Sequence, residues 1–265
     1  KYNQSSVNTN FLDAQSLEQI NEVRETGFEI NVQTQLSSNL VLESGYQFNE
    51  TGVLNSEEID NPGFFRELRN SILTNSIYSQ FNYQSKSSRL NLSLGGRLNH
   101  YSKFNKVLVE PRLNLSYQLI DDLFLEVLAE RKSQVTSQVI DLQTDFLGVE
   151  NRRWIVSNPD NSPIIESWQW SSGLNYIKPS WFINLDLYNK KVEGITSQGQ
   201  GVQNQFRFVR THGSYDIKGM DLLINKSFKS FSGWISYSLS DINYLFKHFQ
   251  PYRFHNNQGL RHVIS

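Results

Sequence analysis

The sequence predicts an all-β fold, an antiparallel transmembrane β-barrel, and three observations carry that expectation. Apolar and polar residues alternate with period two along segments of strand length. Short turns alternate with long polar linkers from one end of the chain to the other. The polar members of the alternation are mostly Asn, Gln, Ser and Gly, whereas a water-exposed strand face would normally carry many Lys and Glu.

The first predicted strand places Phe28, Ile30, Val32 and Leu36 on one face, with Glu29, Asn31, Gln33 and Gln35 on the other. Ser37-Ser38-Asn39 then turns the chain into Leu40, Leu42, Tyr46 and Phe48, a hairpin with a minimal turn. Ile77, Phe81 and Tyr83 oppose Tyr78, Gln80 and Asn82, and a turn near Lys86 leads to Leu90, Leu92, Leu94 and Leu98. Leu113, Leu115, Tyr117 and Leu119 precede the Asp121-Asp122 turn, where Asp favours local backbone bonding, and Leu123, Leu125, Val127 and Ala129 follow. Trp168, Trp170, Leu174 and Tyr176 pair across Lys178-Pro179-Ser180 with Trp181, Ile183, Leu185 and Leu187. A less regular hairpin joins Met220, Leu222 and Ile224 to Ile235, Tyr237 and Leu239 through a turn near Lys229. The pattern gives about ten strands, with a further one starting in Gly259–Ser265.

The linkers at 49–70, 100–110, 131–166, 191–214 and 240–258 read as long, polar and irregular. Loops longer than about 12–15 residues are uncommon in a soluble sandwich, whereas outer-membrane barrels carry short periplasmic turns and long external loops. Leu dominates mid-strand on the apolar face, while Tyr46, Trp168, Tyr176 and Trp181 sit toward strand ends, as interfacial aromatic girdles do.

Composition excludes several classes. With aromatic residues at 13% and a net charge of −1, the 265-residue chain has the makings of a fold and no basic block for nucleic acid. It has no cysteine, which removes disulfides, thiolate catalysis and Cys-ligated metals. No apolar run reaches the roughly 18 residues of a membrane-spanning helix, but barrel strands need only about 9–11.

Catalytic and metal motifs are missing: neither HExxH nor GxSxG occurs, so no enzyme, cofactor or metal site is expected. His100, His212, His248, His255 and His262 fall in or near predicted loops, and a site formed by His248 and His255 with Asp241 is less expected than exposed loop histidines. The most decorated linker holds Asp141, Asp145, Arg152, Arg153, Trp154, Asn158 and Asp160. Arg152 and Arg153 beside Trp154 could hold an anionic or aromatic ligand by charge-assisted bonds and stacking, or else stabilise the loop or meet anions at the rim. Arg207, Arg210 and His212 in the next linker form a second candidate ligand contact. Gly194–Gly201 lacks a following Lys-Ser/Thr and reads as a flexible loop.

Several stretches in order resemble the barrel of TonB-dependent receptors, particularly of the Bacteroidota type: Ile77–Tyr83 followed by Leu94–Asn99, Glu110–Tyr117 with its Pro-Arg start, Glu166–Tyr176, Leu187–Lys191, and Gly219-Met220-Asp221. The resemblance spans nearly the whole chain. It implies a fragment of an outer-membrane barrel of about 22 strands, residues 1–265 being barrel wall without the plug domain or the last strands. It further implies uptake of a scarce nutrient (siderophore, cobalamin or oligosaccharide class) energised by a TonB complex that acts through the absent plug region. Membrane lipid, a small-molecule or glycan ligand and a surface lipoprotein are the implied partners. A passive structural or adhesin-like barrel is the rival expectation.

Overall fold

A computed structural model of the chain describes residues 2–10, 15–60, 63–146, 149–197, 211–249, 251–255 and 259–265. Fifteen strands are present among them: β1 (Tyr2–Asn10), β2 (Gln15–Ser37), β3 (Leu40–Ile59), β4 (Phe64–Gln84), β5 (Leu90–Tyr101), β6 (Lys106–Ile120), β7 (Leu123–Gln134), β8 (Thr136–Phe146), β9 (Val149–Val156), β10 (Ile165–Lys178), β11 (Trp181–Thr196), β12 (His212–Ser227), β13 (Ser232–Leu245), β14 (Arg253–His255) and β15 (His262–Ile264). All pairings are antiparallel. The main sheet runs β1 to β7 in chain order, continues β10 to β14, and takes in β15 beside β13; β8 and β9 form a separate two-stranded ribbon.

Register aligns the predicted apolar face into continuous rows. Leu90, Tyr117, Leu125, Leu174, Leu185, Leu222 and Tyr237 are cross-strand partners in succession. A neighbouring row runs Leu40, Tyr83, Leu92, Leu115, Val127, Ser172, Leu187, Met220 and Leu239. Because side chains alternate sides, residues between these rows all point the other way. Asn184 donates from Nδ2 to Oδ1 of Asn175 at 2.9 Å, and Tyr78 donates to Glu29 at 2.7 Å, on that second, polar face.

Ten side chains of the apolar face (Phe28, Ile30, Val32, Ile77, Phe81, Leu94, Leu98, Val109, Trp170 and Leu187) are 46–62% exposed. At about 1 kcal/mol for each half-exposed side chain, water contact would cost roughly 10 kcal/mol, as much as a typical domain's whole stability. The face is therefore the lipid side. On β10, Trp168 and Tyr176 bound it; eight steps at about 3.3 Å each give about 26 Å along a tilted strand, the scale of the apolar belt of outer-membrane barrels.

The polar face is lined at two places by glycine lying under a tyrosine ring. A Cβ on Gly219 would come within 2.2 Å of the Tyr188 ring, and one on Gly45 within 2.4 Å of the Tyr78 hydroxyl. Each Tyr is the direct cross-strand partner of its Gly, so the ring covers backbone that glycine leaves bare.

The short turns fall where the sequence places them: residues 38–39, 85–89, 121–122, 179–180 and 228–231. The long linkers differ from expectation. Most of 49–70 is strand, since β3 and β4 pair without a break from Leu40↔Tyr83 to Ile59↔Phe64. Between β5 and β6 only residues 102–105 turn, and 131–166 contains the β8–β9 ribbon. β1 and the first half of β2 extend the sheet where no strand was expected. Beyond the lipid belt both faces of a strand meet polar surroundings, so the apolar–polar contrast that marks a spanning strand fades although the ladder continues.

β14 and β15 lie along β13 as one interrupted strand, with His255 opposite Asn243 and His262 opposite Leu239. Seven steps of chain face four on β13, so the pairing is broken between them. β1 and β14/β15 are the two outer edges, and the described sheet does not close on itself.

Candidate functional site

The β8–β9 ribbon builds the site. β7 pairs directly with β10, from Gln134 opposite Ile165 onward, and the chain between them leaves the sheet through the single residue Val135. The Ser157 amide donates to the Val135 carbonyl at 2.7 Å and closes the base of the ribbon. Val156 and Ile164 then pack on Val53, Ile72, Tyr101 and Leu108, which project from the polar-face side of β3 to β6. The ribbon is thus folded onto the inner wall at the long-loop end.

Asn55 on β3 locks it there. Its Nδ2 donates to the Trp154 carbonyl at 2.8 Å, and its Oδ1 accepts from the Trp154 amide at 3.1 Å. One side chain therefore satisfies both backbone groups of Trp154, as a neighbouring strand would. The following loop is pinned to β12: His212 Nε2 donates to the Asn161 carbonyl at 2.8 Å. Asn158 Oδ1 accepts from the amides of Asp160 (3.2 Å) and Asn161 (2.8 Å), an Asx turn that fixes the loop's shape.

These contacts enclose a cleft of about 340 Å³ lined by Asn55, Asn70, Lys103, Arg153, Trp154, Asn158, Asn161, Thr196, Ser197 and His212, among others. Its volume lies within the range of small-ligand sites, about 300–1,000 Å³. Trp154 and Thr196 also line a second cleft of about 320 Å³, whose walls include Ile165, Val192, Ile195, Tyr215 and Tyr244. The rings of Tyr215 and Tyr244 lie 5.5 Å apart, and burial pushes both phenols above their ordinary range, so they remain neutral donors at physiological pH. Behind them Phe246 and Phe249 are fully buried with ring centroids 4.9 Å apart.

A β-bulge shapes the second cleft. The register of β11 against β12 shifts between Glu193 and Ile195. Gly194, at φ +81°, absorbs the shift, and a Cβ there would meet the Ile164 carbonyl oxygen at 2.6 Å. The inserted residue re-aims the strand so that Val192 and Ile195, three apart, both line the cleft. Gly194 is therefore a fixed part of a strand, not of a flexible loop as its neighbourhood suggested; Gly199 and Gly201 lie outside the described residues.

Of the candidates named from sequence, Arg153, Trp154 and His212 meet in the first cleft although they come from two separate linkers. Arg152 sits on β9 opposite Ile140, in backbone register only. Arg207 and Arg210 lie outside the described residues. His255 does approach Asp241, at 3.5 Å, but His255 is exposed and Asp241 only half-buried, and His248 stands exposed in the preceding loop. Among the described residues no three His, Cys, Asp or Glu side chains converge on a metal position. Sequence reasoning missed Asn55, Lys103, Tyr215 and Tyr244. Only the ladder, which carries residues 50 to 100 apart into one place, identifies them.

A family model described as TonB dependent receptor-like, beta-barrel matches residues 1–259. Comparison with curated protein sequences finds no match. Among solved structures, the ferric citrate transporter FecA in its unliganded form aligns with a TM-score of 0.66 and 11% identity, over 98% of this chain and 41% of that one. The FrpB iron transporter from Neisseria meningitidis (F3-3 variant) gives 0.59 and 10%, over 94% of this chain and 44% of that one. The RagAB peptide importer in its closed-closed state gives 0.56 and 11%, over 89% and 31%. Likenesses at such identities speak for the fold, and the chain spans less than half the length of each of these proteins. Lipid-facing rows, polar inner wall and the family match agree: this chain belongs to the β-barrel of the TonB-dependent receptors, a family of the bacterial outer membrane.

Proposed function

We propose that this chain is barrel wall of an outer-membrane import receptor that takes up a scarce nutrient and is energised through a TonB complex. The observation that carries the reading is the β8–β9 ribbon, folded onto the polar inner wall at the long-loop end, where it presents Arg153 and Trp154 to a ligand-sized cleft. A ribbon that brings Arg153, Trp154 and His212 from two separate linkers to one ligand-sized cleft supports a preformed recognition surface above a channel. The siderophore, cobalamin and oligosaccharide classes are the candidate cargoes, and the iron and peptide transporters of similar fold support import in general. A plug in the lumen would couple the wall to TonB, and a surface lipoprotein would fit as an accessory.

Uptake assays on cells carrying the full receptor test this. Cells that lack the receptor, grown on single limiting nutrients, identify the cargo by the growth they lose. With that cargo, Arg153→Ala and Trp154→Ala should each raise the half-saturating concentration roughly 30-fold, the equivalent of about 2 kcal/mol for a central Arg or Trp contact. Collapse of the proton-motive force should stop accumulation. Uptake that survives the collapse would favour the passive barrel instead.

A further inference from the structure

We infer that the lipid face carries a phospholipid site at its short-turn rim, where Lys226, set against the rings of Trp181 and Phe228, takes the phosphate of an anionic lipid. The acyl chains would lie along Ile183, Ile224 and Ile235 on the same face. The site is on the opposite side of the wall from the two clefts, and at its opposite end.

Charge selects the partner. The short turns and the residues flanking them (37–40, 84–90, 120–123, 178–181 and 226–233) hold five cationic side chains, Lys86, Arg89, Lys178, Lys226 and Lys229, against two carboxylates, Asp121 and Asp122. Both carboxylates are taken: Asp121 stands 3.8 Å from Arg89, and Asp122 stands 3.3 Å from Lys178. Lys86, Lys226 and Lys229 have no ion-pair partner among the described residues. The rim therefore keeps a surplus of three positive charges in a chain whose net charge is −1. In outer-membrane barrels the short turns face the periplasm, and the leaflet on that side is phospholipid. Anionic headgroups complement a basic rim at the boundary between lipid and water.

Geometry puts Lys226 on the lipid face at headgroup depth. Lys178, Trp181 and Lys226 are cross-strand partners in succession, one row beyond Tyr176, Ile183 and Ile224. Alternate residues of a strand point the same way, so the two rows share a face. The Lys226 ammonium lies 4.0 Å from the centre of the Trp181 ring and 5.7 Å from that of Phe228. It gives one hydrogen bond to the Ser180 hydroxyl at 3.3 Å, which leaves further N–H donors for a phosphate oxygen. Phe228 and Phe231 stack with centroids 4.3 Å apart at the β12–β13 turn and are 51% and 65% exposed, apolar surface that suits a membrane interface. Gly233, the partner of Lys226 on β13, leaves the backbone beside the ammonium bare, and a Cβ there would meet nothing within 4 Å. A headgroup has room in that gap.

Native mass spectrometry of the full receptor, delipidated in detergent, compares three probes: phosphatidylglycerol, phosphatidylcholine with the same acyl chains, and glycerol 3-phosphate. The expected result is that phosphatidylglycerol binds roughly fivefold more tightly than phosphatidylcholine, while glycerol 3-phosphate is not retained. Lys226→Gln keeps part of the stem beside Trp181 and removes the charge, and should bring phosphatidylglycerol down to the level of phosphatidylcholine. Lys86→Gln removes an equal charge from a different turn and should leave the preference in place. Equal retention of the two lipids by the unaltered receptor would overturn the inference. So would equal losses in the two variants, which would mean diffuse attraction to the rim. Retention of glycerol 3-phosphate as tight as that of the lipid would overturn it too, by making this a site for free phosphate.

Discussion

Asn55 shows how much one side chain carries at the residue scale. Its amide replaces a missing strand by giving and accepting one hydrogen bond each with Trp154 across 99 residues of chain. Asn55→Ala removes both bonds and leaves two partly buried backbone groups to be satisfied by water, a loss of about 1–3 kcal/mol for that contact. The expected outcome is faster hydrogen–deuterium exchange at 153–156 with the spanning strands unchanged. Exchange there at the native rate would show that packing of Val156 and Ile164 alone holds the ribbon. Gly194 and Gly219 belong to the same scale, because each exists to let another group come close: the Ile164 carbonyl at the bulge and the Tyr188 ring on the inner wall.

Among the elements, the spanning strands are the part the sequence makes plain. In β10 and β11 one face meets lipid and the other a polar lumen, so the contrast between Leu185 or Leu187 and Asn184 or Asp186 is at its largest. The row through Val127, Ser172 and Leu187 lies midway between Trp168 and Tyr176, and the row through Leu125 and Leu185 lies one step nearer the short turns. Leu187→Arg should therefore cost about 2–4 kcal/mol, Leu185→Arg less, and Asn184→Arg little, because the penalty for a charge on the lipid face falls with distance from the midplane. Urea titration of the full receptor folded into lipid vesicles checks the order; equal costs at 184 and 187 would mean the faces are misassigned. The extensions of β2, β3 and β4 beyond the belt are hidden from sequence because that contrast is lost there: Gln19, Asn21 and Glu57 are as buried as Val53. The β8–β9 ribbon is hidden for a related reason, since its apolar residues pack locally on a wall whose position only long-range pairing fixes. Arg153, Trp154 and His212 stood out by residue type, but their convergence depends on the turn of the chain at Val135 and the Asx turn at Asn158.

At the scale of the whole molecule, the described sheet presents two open edges, at β1 and at β14/β15. Unpaired backbone amides and carbonyls cost several kcal/mol each in lipid, so a wall of this kind is stable in a membrane only when further strands complete the ring. The chain's 31–45% coverage of the solved transporters it resembles fits a wall of that kind. Within the wall the inner face, the ribbon and the paired clefts all lie on one side, and the lipid rows lie on the other. Lipid contact and ligand recognition both depend on that division. The chain has no cysteine of its own, so single cysteines at Asn184, Leu185, Asp186 and Leu187 can be spin-labelled in the full receptor in lipid. If that division holds, labels at 185 and 187 are accessible to dissolved oxygen and shielded from a water-soluble nickel chelate, with the reverse at 184 and 186. Equal accessibility at all four positions, or the opposite alternation, would contradict it.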